Sequence, residues 1–201
     1  MKITAIKQQI KNPERVSIFI DGKYSFSLSF DELLEQKIRN NQELDEPRLA
    51  KLKKLSADGK LRMRALEWAL NRPRSLREFG DYLRRKKVDP GFGDALAADF
   101  LKRGYLSEPN FARWLVDVRT RGGKSNRAIA AELASKGISR ELADEALGLT
   151  DTSETERLQQ VIAKKAGLSR YQANPQKFIE YLARQGFSYD LIKEQLKQPH
   201  T

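Results

Sequence analysis

The tripeptide Gly123–Ser125 is the part of the sequence closest to a known catalytic motif, because phosphate-binding Walker loops end in Gly-Lys-Ser. Such a loop follows a β-strand and needs a second glycine five residues before the glycine of Gly-Lys-Ser. That position holds Val118, in a segment with helical periodicity. The backbone cannot form a phosphate cradle there, and we predict no nucleotide site.

Other catalytic chemistry lacks the residues it needs. The chain has no cysteine, and its single histidine is His200, which excludes thiol nucleophiles, disulfides, thiolate or imidazole metal sites and Ser-His-Asp triads. The carboxylate pairs Asp31–Glu32 and Asp144–Glu145 fit solvated helix faces, where acidic residues near a helix start favour the macrodipole. We therefore expect a protein that is not an enzyme and has no cofactor and no metal.

Positive charge is the strongest chemical signal in the chain. Among 201 residues, 38 Lys and Arg outnumber 27 Asp and Glu, for a net charge of +11. The bases concentrate at two predicted elbows between helices and in one run at a helix end. They are Arg72, Arg74 and Arg77 at the first elbow, Arg119, Arg121, Lys124 and Arg127 at the second, and Arg84, Arg85, Lys86 and Lys87 in the run.

Bases near helix C-termini complement the macrodipole, which accounts for part of this distribution. It does not account for Arg77 and Arg127, which sit at predicted helix starts, where a cation is unfavourable. We therefore predict that the elbow bases form a stripe that meets a polyanion or an acidic protein groove.

The elements that position these bases form an internal repeat of about 50 residues, which is typical of stacked helical modules. Ser75, Ser125 and Asn174 are predicted N-caps at equivalent places, and Asp89, Ser139 and Ser188 are a second equivalent set. Apolar residues keep the same register between the two caps. They are Phe79, Ile129 and Phe178, then Leu83, Leu133 and Leu182, then Val88, Ile138 and Phe187.

Each repeat also has a preceding helix, so each module has three short helices, in repeats that we place at 58–104, 105–150 and 151–201. Such a module buries too little apolar surface alone, and the modules should stack end to end. The predicted fold class is mainly α, with tandem three-helix repeats forming an elongated curved rod. Trp68, Tyr105, Phe111 and Trp114 are predicted core residues, with Trp114 the most exposed.

Residues 1–57 form a predicted N-terminal extension with the only strand signals. Two alternating apolar runs flank Asp21–Gly22, which indicates a β-hairpin with a primed turn, and Ile6–Ile10 suggests a third strand. A capping box at Ser29–Glu32 opens a short helix through about Lys37. A charged helix is predicted from about Glu46 to Leu55.

A helix-turn-helix pattern also raises the possibility of sequence-specific DNA readout, with the later helix in the major groove. The charges argue against it. That helix carries Asp94 and Asp99 without a base in the first repeat, and Arg140 is outnumbered by acidic neighbours in the second. Phosphates would repel such helices.

The same residues make the chain resemble the RecX family of bacterial recombinase regulators. The resemblance covers nearly the whole chain and is strongest over 61–147. The matching positions are Arg72–Ser75, Glu78, Leu83, Gly104–Leu106, Phe111–Ala112, Arg119, Ile129, Glu132–Leu133 and Lys136–Ile138. The chain departs from the family at Gly123–Ser125, where the family often has Gly-x-Gly, and it has Lys87 where later repeats have Gly137 and Gly186.

The resemblance implies a regulator that lies in the groove of a RecA filament on DNA and inhibits ATP hydrolysis, strand exchange and co-protease action. Homologous recombination, DNA repair and the SOS response would be its setting. The expected partners are the RecA filament and, weakly and nonspecifically, DNA; we expect a cytoplasmic monomer with no membrane contact. The alternative is a sequence-nonspecific nucleic-acid-binding protein of tandem helical modules that acts without a recombinase.

Overall fold

The computed structural model describes residues 1–197, so His200 lies outside the described residues. Within that range the chain forms three strands and eleven helices. In chain order they are β1 (Ile3–Gln8), β2 (Arg15–Ile20), β3 (Lys23–Ser29), α1 (Phe30–Glu35), α2 (Glu46–Leu70), α3 (Leu76–Arg85), α4 (Pro90–Lys102), α5 (Glu108–Arg121), α6 (Asn126–Ser135), α7 (Arg140–Gly148), α8 (Glu154–Lys165), α9 (Ser169–Gln172), α10 (Pro175–Arg184) and α11 (Tyr189–Lys197). The predicted mainly helical class with a small N-terminal antiparallel sheet is confirmed.

The chain divides into two compact units, Met1–Trp68 and the part from Ala69 onward. In the first unit the three strands form an antiparallel sheet in the order β1-β2-β3. Asp21 and Gly22 have φ of 47° and 81°, as the predicted two-residue primed turn requires. The additional strand predicted at Ile6–Ile10 is present as β1, but it starts earlier than expected. Ile10 lies beyond the end of β1 and is fully exposed.

One face of the sheet is covered by α2, and the core between them is apolar, with Ile18, Leu28 and Leu52 fully buried. The predicted capping box at Ser29 is present: its hydroxyl accepts from the Glu32 amide, and the Glu32 carboxylate accepts from the Ser29 amide. Local sequence signals therefore place the hairpin and α1 correctly.

The expected break between a helix ending near Leu55 and a new helix from about Asp58 is wrong. A single helix, α2, runs through both segments, and the division between the two compact units falls inside it. Ser56 is 3% exposed, and its hydroxyl accepts a hydrogen bond from the Ser27 amide at 3.3 Å. This hydrogen bond to the sheet therefore keeps Ser56, which is a weak helix former, in a helical conformation.

In the second unit all six predicted N-caps are confirmed, because each side chain accepts from the amide three residues later. Helices α5, α6 and α7 enclose one core around Phe111, Ile129 and Leu133. Helices α8 to α11 enclose another around Ile162 and Phe187. The longer connection in the third repeat contains the short helix α9.

Consecutive repeats contact each other through the turn after the middle helix. Gly137 and Gly186 hold this turn at φ of 83° and 101°. A methyl group added at Gly137 would lie 3.4 Å from Arg77 Cβ, and one at Gly186 would lie 2.6 Å from Ala128 Cβ. In both cases the turn of the later repeat packs on the start of the middle helix of the earlier repeat.

Among residues 1–197, no helix combines the length and the apolar character that crossing a bilayer requires.

Candidate functional site

The first elbow places Arg72 in a fixed position. Its guanidinium donates to both carboxylate oxygens of Glu78, at 2.9 and 3.1 Å, and lies 4.7 Å from the centre of the Trp114 ring. Lys136 Nζ reaches the same carboxylate at 3.2 Å. Since Trp114 and Lys136 belong to the second repeat, this cluster joins the first two repeats.

Electrostatics at this elbow favour the ionised carboxylate. Burial by itself would raise the pKa of Glu78, but hydrogen bonds and charge from Arg72 and Lys136 outweigh burial and leave that pKa below its usual range. Neighbouring Arg74 is half-buried and lines a cavity of about 210 Å³. Burial and the nearby Arg72 charge lower the pKa of Arg74, with Glu78 opposing them. An anion near Arg74 would offset both the burial of the guanidinium and its repulsion by Arg72.

The second elbow uses the same chemistry at different positions. Arg119 donates to both carboxylate oxygens of Glu132, at 2.8 and 2.7 Å, a bidentate geometry that fixes both side chains. The hydrogen bond from Arg119 is the main cause that lowers the pKa of Glu132. Arg121 is exposed and bonds Asp117 one turn earlier on α5. Half-buried Lys124 contributes its carbonyl oxygen to a contact with the third repeat.

The remaining predicted bases are exposed. Arg77 and Arg127 occupy equivalent positions in the first turns of α3 and α6, and neither has an ion-pair partner in the described part of the chain. In the run that ends α3, Arg84 pairs with Asp81 at 3.1 Å, and Arg85, Lys86 and Lys87 are exposed.

These positions separate the predicted bases into two groups. The guanidinium groups of Arg72 and Arg119 direct their donors at carboxylates of their own repeat, so they stabilise the elbows and add little outward charge. Arg77 and Arg127 present unpaired charge to solvent, and Arg121 is exposed but pairs with Asp117. That the two elbows form one continuous stripe stays a prediction.

The residues that join the second and third repeats were not predicted from the sequence. Arg157, on α8, is 2% exposed and donates to the Lys124 carbonyl at 3.0 Å and to the Asn126 side chain. Counted from the N-caps, Arg157 stands where the second repeat has the buried Phe111. A charged residue at a position that is a core aromatic in the neighbouring repeat was the available signal.

Comparisons with known proteins place this architecture. Residues 1–45 match the family described as "Regulatory protein RecX N-terminal domain", and residues 107–147 match "RecX, second three-helix domain". The chain is 33% identical to regulatory protein RecX of Bacillus licheniformis, over 98% of this chain and 76% of that protein. It is 30% identical to regulatory protein RecX of Lactobacillus johnsonii, over 94% of this chain and 71% of that protein.

Two solved structures share the fold. A crystal structure of regulatory protein RecX aligns with a TM-score of 0.68 and 24% identity, over 96% of this chain and 98% of that chain. A crystal structure of RecX from Lactobacillus salivarius aligns with a TM-score of 0.55 and 24% identity, over 70% of this chain and 94% of that chain.

Proposed function

Because this chain belongs to the RecX family of regulatory proteins, we propose that it binds the RecA filament on DNA and lowers recombinase activity without being an enzyme itself. ATP hydrolysis, strand exchange and co-protease action would fall together, because all three depend on the filament. The protein would act in the cytoplasm, in homologous recombination, DNA repair and the SOS response.

The observation that carries this proposal is the repeated contact between modules. The turns at Gly137 and Gly186 meet the preceding repeat at equivalent places, so successive modules are added in an equivalent way. A polymer of identical protomers offers equivalent sites in series, which suits a series of similar modules. Each module can then bind weakly, because the tether makes later contacts intramolecular.

Electrostatics support an acidic surface as the target. Arg77 and Arg127 are exposed, carry no ion pair within the described residues, and occupy equivalent positions in neighbouring modules. Both lie in the first turn of a helix, where a cation destabilises the helix by a few tenths of a kcal/mol or more. A binding role would explain why two equivalent turns keep this unfavourable charge.

The test is the pair Arg77→Glu and Arg127→Glu, assayed for inhibition of the ssDNA-dependent ATPase of a RecA protein. We expect the concentration for half-inhibition to rise at least about tenfold, because like charges would face the acidic groove. The melting temperature should not fall, since a carboxylate in a first helical turn is favourable. Arg119→Glu is unsuitable, because it would place two carboxylates together at Glu132.

The matched control is Lys51→Glu with Lys53→Glu, which changes the charge equally at two exposed sites on α2, outside the elbows and without an ion pair in the described part of the chain. Equal losses in both pairs would show that only net charge matters. An unchanged ATPase at saturating parent protein, with DNA binding intact, would contradict filament regulation and favour the nucleic-acid-binding alternative.

A further inference from the structure

A cavity of about 180 Å³ lies at the junction between the second and third repeats. One wall is the elbow after α5, and the other walls come from α8 and α10. It is lined by Thr120, Arg121, Gly122, Gly123, Arg157, Gln160, Val161, Lys164, Lys165 and Tyr181. None of the bases on α8 was among the binding residues predicted from the sequence.

The charge in this cavity is unbalanced. Four of its lining residues are bases, Arg121, Arg157, Lys164 and Lys165, and none of its lining residues is Asp or Glu. Two carboxylates act on these bases: Asp117 bonds Arg121, and Glu154, which accepts from the Asn126 backbone amide at 2.9 Å, lies near enough to Arg157 to favour its charged form. Asp117 offsets only part of the positive charge.

Arg157 is the independent indication that the site is built for an anion. Its guanidinium is buried, its hydrogen-bond acceptors are the neutral Lys124 carbonyl, Asn126 amide and Thr120 hydroxyl, and its Nε has no hydrogen-bond partner. The charge of Glu154 offsets part of the cost of burying this cation, and a buried cation without a bonded carboxylate stays costly unless a further anion compensates it. Phe111 at the equivalent position shows that an apolar side chain fits this place in a module.

The shape of the cavity suits a phosphoryl group. Its volume is that of about six water molecules, enough for one tetrahedral oxyanion with retained water. Gly122 is exposed and brings backbone without a side chain to the cavity, whereas Gly123 is buried against Val161. Lys164 and Lys165 carry flexible ammonium groups that can reach different oxygens of one phosphate.

We propose that this cavity is an oxyanion site that binds a phosphoryl group, either of a free phosphate compound or of a nucleic-acid backbone. The proposal goes beyond filament binding, because it concerns phosphate alone and its test contains no recombinase. Failure of one proposal therefore leaves the other standing.

The test compares the full-length parent with Lys164→Gln and Lys165→Gln together, and with a matched control, Lys193→Gln and Lys197→Gln, which removes two exposed lysines from α11. The first probe is sodium pyrophosphate in a calorimetric titration. The second is a fluorescent 15-residue oligothymidylate in an anisotropy titration at several salt concentrations. We expect all three proteins to fold, since these lysines have exposed or half-exposed side chains. Thermal melts verify this.

We expect the cavity variant to lose at least about tenfold in affinity for one or both probes and the control less than about twofold. For the oligonucleotide, the slope of log affinity against log salt should fall by about 0.7, since the cavity holds one phosphate and each lost single-strand phosphate contact contributes about 0.7. If the cavity variant loses affinity for pyrophosphate alone, the bound phosphoryl group belongs to a free phosphate compound. If it loses affinity for the oligonucleotide alone, the phosphoryl group belongs to nucleic acid.

Equal losses in the cavity and control variants would overturn the proposal, because net charge would then explain binding. Displacement of the oligonucleotide by poly-glutamate of equal charge, with no pyrophosphate binding, would also overturn it in favour of an acidic protein segment. If the parent protein binds neither probe, the proposal is overturned as well.

Discussion

Between the first and second repeats, the carboxylate of Glu78 joins Arg72 and Lys136 near the surface, whereas between the second and third repeats the guanidinium of Arg157 is buried beneath the elbow. The backbone also contributes at the second junction, where the Ser125 amide donates to the Gln185 carbonyl at 3.0 Å. The first junction is therefore an ion-pair cluster and the second is a buried hydrogen-bonded cation.

Both junctions nevertheless share one geometry. Each brings the turn after a middle helix onto the first turn of the previous middle helix, with a glycine at the point of approach. The repeat thus determines where modules meet, and the chemistry that holds them differs from one junction to the next. Substitutions at the two junctions should therefore change the free energy of unfolding by different amounts, and those changes should depend differently on pH.

The largest effect is expected for Gly186→Ala. The added methyl would lie 2.6 Å from Ala128 Cβ, and alanine is strained at φ of 101°, so unfolding free energy should fall by about 3 kcal/mol. Urea denaturation measures this. Gly137→Ala is the control at the equivalent turn of the second repeat, where φ is 83° but the added methyl would make only an ordinary contact with Arg77 Cβ, at 3.4 Å. If both variants lose equal stability, the turn rather than the junction explains the glycine.

An intermediate effect is expected for Arg157→Met. The substitution keeps an unbranched side chain but leaves the Lys124 carbonyl and the Asn126 side chain without the donors that now satisfy them. Hydrogen bonds that involve a charged group contribute about 2 kcal/mol, so a loss of that size is expected in a denaturant titration. Arg184→Met, at an exposed position on α10, should be nearly neutral. Equal stability of Arg157→Met and the parent would mean that the cation does not hold the second junction.

The smallest effect is expected for Glu78→Gln, which should cost about 1 kcal/mol near neutral pH, because the ion pairs lie partly in solvent. The pKa of Glu78 is depressed in the folded protein, so its contribution is complete above the pKa of an unfolded glutamate, about 4.3. That contribution is lost as the pH falls through the lower folded pKa. Parent and variant should therefore converge in stability at acidic pH, and a constant difference between pH 7 and pH 3 would contradict the assigned ion pairs.

Features that depend on neighbouring residues could be predicted from the sequence. The N-caps at Ser75, Ser125 and Asn174, the primed turn at Asp21–Gly22 and the capping box at Ser29 involve groups within a few residues of each other. The repeat was visible for the same reason, because each copy restates the same local caps and the same apolar spacing.

The continuity of α2 could not be predicted in this way. Ser56 and Gly59 are weak helix formers, and their sequence neighbourhood indicates a break. Hydrogen bonding of Ser56 to the sheet, through a residue 29 positions earlier, holds the helix together there. A contact of that sequence separation leaves no local signal.

The sequence by itself determined the mainly helical class, the module length, the position of each elbow and the excess of positive charge. Only the tertiary structure decided which of those charges are internal ties. Arg119 looks like an outward base until the fold brings Glu132, 13 residues away, within 2.7 Å of its guanidinium. Likewise, Lys87 and Gly186 have equivalent places in the repeat, and only stacking distinguishes them, because another module packs closely on Gly186, where a Cβ would lie 2.6 Å from Ala128 Cβ. Charge pairing and steric fit depend on distances between distant segments, and those distances exist only once the chain has folded.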